Sequence, residues 1–428
     1  MGRERSPLYR LVKNTELPQK EKETMADDIE ICSSWKKLNG KEREKSSVVV
    51  LEKREALSKV EVTNERVRED ARPSTRAEAE AAAPAVGRWG AEWPTTTHEE
   101  LSTAAETILR YLLVTDNYDS VNNFMSLYDE FTKTQEALFD LFKRYAPPIR
   151  SKKHTCVGLG IELIRRLRVL DKKFRGFNAA MGLVSCEEAV VDVHDYVTSG
   201  PGPESVAMAE KEHVMVAIQV VVDGRSGVML ADPGYHVPRI VTVMADRAYP
   251  HTGWFTQSEE PHCRKEYEYS FNPQNSAYVE WHERVTRGAT VKYQTSLVYV
   301  GRPYLDGVNV TERRNLVYNF RSLLARDQKG HLIAGLYFPV GGKGKDAMFT
   351  LFFDNGEKRK AKYKFSIFSD PDNIPKTILE EVDLCNKLMN YKSGELLRII
   401  SKLAKVISDQ SYIDQLLEIN EEICRLCL

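Results

Sequence analysis

The stretch HVMVAIQVVVDGRSGVMLAD, residues 213–232, decides the fold. Asp223-Gly224 stands between two apolar runs. A DG pair so placed is a strong short-range signal for a two-residue hairpin turn. Closing the chain there pairs Val222 with Arg225, and counting outward sets Met215 opposite Asp232 and His213 opposite Gly234. His213 and Met215 are two residues apart, so they share one face of the sheet. Asp232 then becomes a diagonal cross-strand neighbour of His213, near enough for an imidazole–carboxylate contact.

Upstream, Cys156 opens CVGLGIELIRRLRVLDKKF, whose apolar positions include Val157, Leu159, Ile161, Ile164, Leu167 and Leu170. That spacing predicts a helix beginning at the cysteine. A helix N-terminus carries partial positive charge and N–H groups without intrahelical partners. Lys152, Lys153 and His154 precede Cys156, and Glu162 is the first acid after it. These features favour thiolate over thiol, and the same N–H groups can receive an oxyanion. Taken singly, each residue has a plainer reading. A cysteine packs like a small hydrophobe, a strand-edge histidine makes an ordinary hydrogen bond, and an aspartate before Pro233-Gly234 serves a turn. Taken together, the three residues supply a thiol nucleophile, its base and the base's orienter.

The chain has 428 residues and a formal net charge of −1. That length implies two or three domains. The charge balance gives no general attraction to nucleic acid or an anionic membrane. Seven scattered cysteines, Cys32, Cys156, Cys186, Cys263, Cys385, Cys424 and Cys427, do not form a disulfide framework. No apolar run approaches a membrane span and no signal-like stretch opens the chain, so a cytoplasmic location is expected.

Residues 1–92 are rich in charge and poor in aromatics, and are expected to form a disordered tail. Met1-Gly2 fits the bare myristoylation pattern, which Arg3 suits poorly, and Met25 is an alternative start. From Trp93 the pattern is helical. Thr96-Thr97 reads as a capped helix start. LSTAAETILRYLLV and SVNNFMSLYDEFTKTQEALFDLFKRY then read as two amphipathic helices, the second ended by Pro147-Pro148. With the Cys156 helix they make a helical domain over 93–192. An antiparallel β-barrel is expected over 193–305, and an α/β lid with C-terminal helices over 306–428. FNAAMGLVSC, AVVDVHDYV, RIVTVMA, TVKYQTSLVYV, HLIAGLYFPV, AMFTLFFD and KAKYKFSIF read as further strands, with turns at GGKGKD and DNGEK, and VTERRNLVYNFRSLLA reads as a helix. The fold class is α+β.

At the hairpin and around Cys156 the chain resembles the arylamine N-acetyltransferases. His213, the run Val214 to Val222, the turn Asp223-Gly224-Arg225, the run Ser226 to Ala231, and Asp232-Pro233-Gly234-Tyr235 match that family's hairpin. Each arm is about two residues longer than usual, and because both lengthen together the His–Asp register is kept. The order of helical bundle, barrel and lid matches over roughly residues 93 to 370. The family's Arg-Gly-Gly before its cysteine is absent here, and His236 stands where a glycine follows the aromatic. The resemblance implies a papain-like Cys156–His213–Asp232 site. It also implies acetyl-CoA as acyl donor, a small amine as acceptor, a ping-pong mechanism, and Tyr235 and His236 at the substrate pocket. No metal is implied.

Lys343 and Lys345 in GGKGKD could meet the phosphates of coenzyme A, although a solvated basic turn is the plainer reading and the loop lacks P-loop spacing. Cys424 and Cys427 form a single CxxC without the second pair that zinc requires. Asp192, His194 and Asp195 crowd together, but on a strand they would divide between faces. Asn309-Val310-Thr311 matches a glycosylation acceptor, which has no meaning without secretion. Two other readings use the same residues: a transglutaminase-like or papain-like thiol enzyme acting on amides, and a catalytically silent binding protein of the same fold.

Overall fold

The computed structural model describes residues 91–190, 192–198, 213–260, 262–304, 306–341 and 346–426. Lys343, Lys345, Cys32, Cys427, Gly2, Met25 and the charged tail up to residue 90 lie outside the described residues. Ala91 and Glu92, expected to belong to the tail, join Trp93 in a short strand, β1 (Ala91–Trp93), parallel to the end of the 213–222 strand.

Helix and sheet are mixed, as the α+β reading expects. The large sheet contains β1, β3 (Met181–Glu187), β4 (His213–Val222), β5 (Arg225–Ala231), β6 (Val241–Met244), β7 (Phe255–Glu260), β8 (Cys263–Phe271), β9 (Tyr278–Arg287) and β10 (Thr290–Tyr299). Its order is β6-β5-β4-β3-β10-β9-β8-β7, with β1 added beside β4. Every pairing but that of β1 is antiparallel, and the sheet curls into a half-barrel. The hairpin has the expected register. Val222 pairs with Arg225 and Val216 with Ala231, so one further step sets Met215 beside Asp232. Asp223 and Gly224 both have positive φ, 50° and 74°, as a type I′ turn requires.

β4 is apolar along its length because both its faces are covered. Val216, Ile218, Val220 and Val222 pack on the helical layer, with Leu101, Leu109 and Leu112 of α1 (Thr95–Thr115) and Leu159, Leu163 and Leu167 of the Cys156 helix. Met215 and Ala217 face the concave interior with Val228, Leu230, Tyr267, Tyr269 and Trp281.

A second sheet has the order β14-β13-β12-β11-β2, formed by β2 (Tyr118–Asp119), β11 (Phe320–Arg326), β12 (Leu332–Pro339), β13 (Met348–Asp354) and β14 (Lys358–Lys364). It shares a core with α2 (Val121–Phe131), α3 (Leu138–Arg144) and the C-terminal helices α8 (Lys376–Leu388), α9 (Glu395–Ser408) and α10 (Gln410–Leu426). The intervening helices are α4 (Cys156–Leu167), α5 (Phe177–Ala180), α6 (Val193–Thr198) and α7 (Arg313–Val317).

Several expectations are corrected. The 120–145 segment is two helices, with a break at 132–137. α1 is preceded by Pro94, with no side-chain cap, in place of a threonine cap. The helix opened by Cys156 ends at Leu167 and passes into a 3₁₀ turn, Arg168–Lys172. FNAAMGLVSC begins as one helical turn before β3. AVVDVHDYV contains α6 in place of a strand, and there Asp192 accepts a hydrogen bond from the Asp195 backbone N–H while His194 meets Gln274. VTERRNLVYNFRSLLA is helical only to Val317 and then becomes β11, so a buried, two-sided strand resembled a helix in its apolar spacing. β7, β8 and β9 were not foreseen, since alternating charged residues such as Arg264, Glu266 and Arg284 mask a half-covered strand. The barrel is half-closed, ending at β6 and β7. Among the described residues no helix is long and apolar enough to cross a membrane.

Candidate active site

Cys156, His213 and Asp232 come together where the Cys156 helix crosses the start of β4. Each is about 3% exposed. His213 opens β4 on its concave side, and Asp232 follows directly on β5. The ring donates from Nε2 to Asp232 Oδ1 at 3.0 Å, and Cys156 stands beside the same ring, both touching the point where a Gly234 Cβ would sit. With Nε2 committed to the carboxylate, the nitrogen left for sulfur is Nδ1. The Tyr235 backbone N–H also donates to Asp232 Oδ1, at 2.9 Å, so the Pro233-Gly234 turn wraps the carboxylate and fixes its direction.

Gly234 explains why these residues can meet. A Cβ there would stand 2.7 Å from both Cys156 Cβ and His213 Cε1. Only a residue without a side chain lets the turn close over the pair. At Gly160 a Cβ would come within 2.6 Å only of the far end of the Leu183 side chain on β3, which can move aside.

His213 is pulled in two directions. Burial disfavours its charged form, but the Asp232 carboxylate and the contact with Cys156 outweigh this and hold its pKa well above the free value. Tyr235 packs edge-on against the ring at 4.6 Å, and its hydroxyl donates to Glu188 at 2.5 Å. His236 is buried beside Tyr118, with ring centres 6.1 Å apart, and has positive φ, 56°. Burial, then the charges of Arg326 and His213, hold its pKa well below the usual imidazole value, so it is neutral. Tyr235 therefore stands against the His213 ring, whereas His236 is buried against Tyr118. The structure does not describe Lys343 and Lys345, the residues suggested for coenzyme A.

Two of the residues before Cys156 have partners of their own. His154 is buried against Asp116 at 3.4 Å, and Lys153 donates to Asn122 at 3.0 Å. Thr155 occupies the cap position of the Cys156 helix, yet its hydroxyl does not cap the helix. It hydrogen-bonds Glu312 instead, and Asn123 donates to the other oxygen of that carboxyl at 2.6 Å. The first-turn N–H groups consequently have no side-chain cap. Burial raises the pKa of Glu312 despite these two hydrogen bonds.

Sequence reasoning missed the stretch that closes the site from the second sheet. Glu312 ends a π-helical turn, Val308–Glu312, and three residues later Asn315 points Nδ2 at Cys156 Sγ, 3.9 Å away. Their signal in the sequence was faint: two polar residues beside the apolar pair Leu316-Val317, more than 150 positions from Cys156.

No protein-family model, curated protein or solved structure matches the chain.

Proposed function

We propose that the protein is a cysteine-dependent N-acyltransferase of the arylamine N-acetyltransferase type, passing an acyl group from a thioester such as acetyl-CoA through Cys156 to a small amine. The observation that carries this reading is the His213 ring, bonded to Asp232 and standing beside Cys156 at the N-terminus of a helix. In the first half-reaction His213 takes the Cys156 proton and the sulfur attacks the thioester carbonyl. A C–S bond forms, and the carbonyl electrons move to oxygen, facing the uncapped first-turn N–H groups. Collapse breaks the bond to the coenzyme sulfur, which leaves with the proton from His213. In the second half-reaction the amine attacks the Cys156 thioester, His213 accepts its proton, and the proton returns to the departing Cys156 sulfur. Asp232 fixes the ring's orientation and stabilises the imidazolium throughout.

The near-complete burial of Cys156 favours this reading over an enzyme acting on protein amides. A carbonyl at the end of a slender thioester arm reaches a covered sulfur more readily than a carbonyl within a folded chain.

Steady-state kinetics test the proposal. With acetyl-CoA and an arylamine varied together, the account expects the parallel double-reciprocal lines of a ping-pong mechanism, and loss of turnover in Cys156→Ala. Intersecting lines, or turnover unchanged in that variant, would sink it.

A further inference from the structure

We infer that Asn315 is a catalytic residue of this site, a side-chain donor to the oxyanion formed when Cys156 attacks a carbonyl. The inference rests on the acyl-transfer reading above. Its starting point is the 3.9 Å separation between Asn315 Nδ2 and Cys156 Sγ. That is long for a stabilising contact with sulfur itself. It suits an oxygen on the carbon that the sulfur attacks, since oxyanion donors stand about 2.7–3.1 Å from the developing charge, not from the nucleophile.

Asn315 is also held in advance of the reaction. It is buried at 5% exposure on α7. Arg321, fully buried, donates from Nη1 to the Asn315 backbone carbonyl at 2.9 Å and from Nη2 to the carbonyl of Leu316. The guanidinium lies over the Phe124 ring at 4.8 Å, which fixes it in turn. Burial lowers the Arg321 pKa only to about 10, so it remains a cation at neutral pH. A charge-assisted pair of hydrogen bonds therefore anchors the backbone that carries the amide. Three residues earlier on the same stretch, Glu312 ties down Thr155. The amide donor and the helix N-terminus are thus fixed to each other across the site, and little reorganisation is needed when charge develops.

In the step itself the Cys156 S–C bond forms, the carbonyl π pair moves to oxygen, and Asn315 Nδ2–H and a first-turn N–H of the Cys156 helix donate to that oxygen. When the tetrahedral species collapses the pair returns and the leaving sulfur departs. Asn315 gains and loses no proton.

Two reagents separate this role from a structural one. p-Nitrophenyl acetate and acetyl-CoA acylate Cys156 through an oxyanion, whereas iodoacetamide alkylates the same sulfur without one. Asn315→Ala, and the nearly isosteric Asn315→Leu, are expected to slow acylation by roughly 10²–10³-fold and to leave the alkylation rate within about twofold of wild type. Acylation unchanged in both variants, or acylation and alkylation reduced by the same factor, overturns the inference while leaving the acyl-transfer reading in place. A wild-type protein that iodoacetamide alkylates but neither acyl donor acylates overturns both.

Discussion

Two opposing effects act on one proton at His213. Burial would strip the ring of its charge, and Asp232 with Cys156 restores it. The folded pKa lies above the unfolded value, so the stabilisation that the pair supplies is complete below about pH 6.5 and is lost as pH rises through the folded value. Melting temperature followed against pH should therefore show wild type exceeding Asp232→Asn through neutrality, the two curves converging in alkali. A gap that widens with rising pH would contradict this account. The same substitution leaves an amide where the imidazolium needs a carboxylate, and should lower turnover by about 10²–10⁴-fold with the fold intact. Gly234→Ala makes a different demand. Its methyl would press on Cys156 Cβ and His213 Cε1 together. Overpacking of this kind costs about 1–3 kcal/mol, and iodoacetamide alkylation of Cys156 should slow because sulfur and imidazole are forced apart. Alkylation at the wild-type rate would show that the turn yields instead.

At the scale of elements, the Cys156 helix is positioned from both ends. Near its C-terminal end Arg166 bonds Asp116, at 2.5 Å, and Glu162, at 2.8 Å. Before its first residue, His154 meets the same Asp116, and the Asp119 backbone N–H donates to the His154 carbonyl at 2.6 Å. Burial would raise the Asp116 pKa, but His154, Thr115 and Arg166 together bring it down to about 2. A depressed carboxylate pKa supplies stability that is full above about pH 4 and lost as pH falls through about 2, a contribution on the order of 2 kcal/mol. Acid unfolding monitored by circular dichroism should accordingly begin at higher pH in wild type than the remaining carboxylates require, and Asp116→Asn should be less stable at neutrality with a shallower loss between pH 4 and 2. Equal slopes for the two proteins over that window would exclude Asp116 as the clamp. The hairpin was readable because its register depends only on local turn chemistry and strict alternation. The partners of the helix were not, because Lys153 and His154 lie beside Cys156 in sequence and turn to other groups in space.

Over the whole molecule, the linear division into helical, barrel and lid segments conceals exchange between them. β1, at the junction of the tail and the helical segment, joins the large sheet, while β2 from the helical segment joins the small one beside β11. The change from helical to strand periodicity near residue 180 was legible, and β3 begins at Met181. Strand membership was not, since β2 has only two residues and β8 and β9 carry charges on both faces, the inner one holding the buried pair Lys265 and Glu283. Cys156 stands where the two sheets meet: Val214 packs on it from the large sheet's β4, and Asn315 reaches it from the stretch leading into β11. Unfolding in urea should therefore be one cooperative transition, with exposure of Cys385 in the small-sheet core coinciding with loss of tertiary signal from Trp281 in the half-barrel. Two separated midpoints would mean that the site does not couple the halves. The most direct test of acyl transfer through Cys156 is the intact mass of the protein after incubation with acetyl-CoA. The account predicts one acetyl adduct that maps to Cys156, is discharged by an added arylamine and is missing in Cys156→Ala. An unmodified wild-type mass, or an adduct that persists in Cys156→Ala, would contradict it.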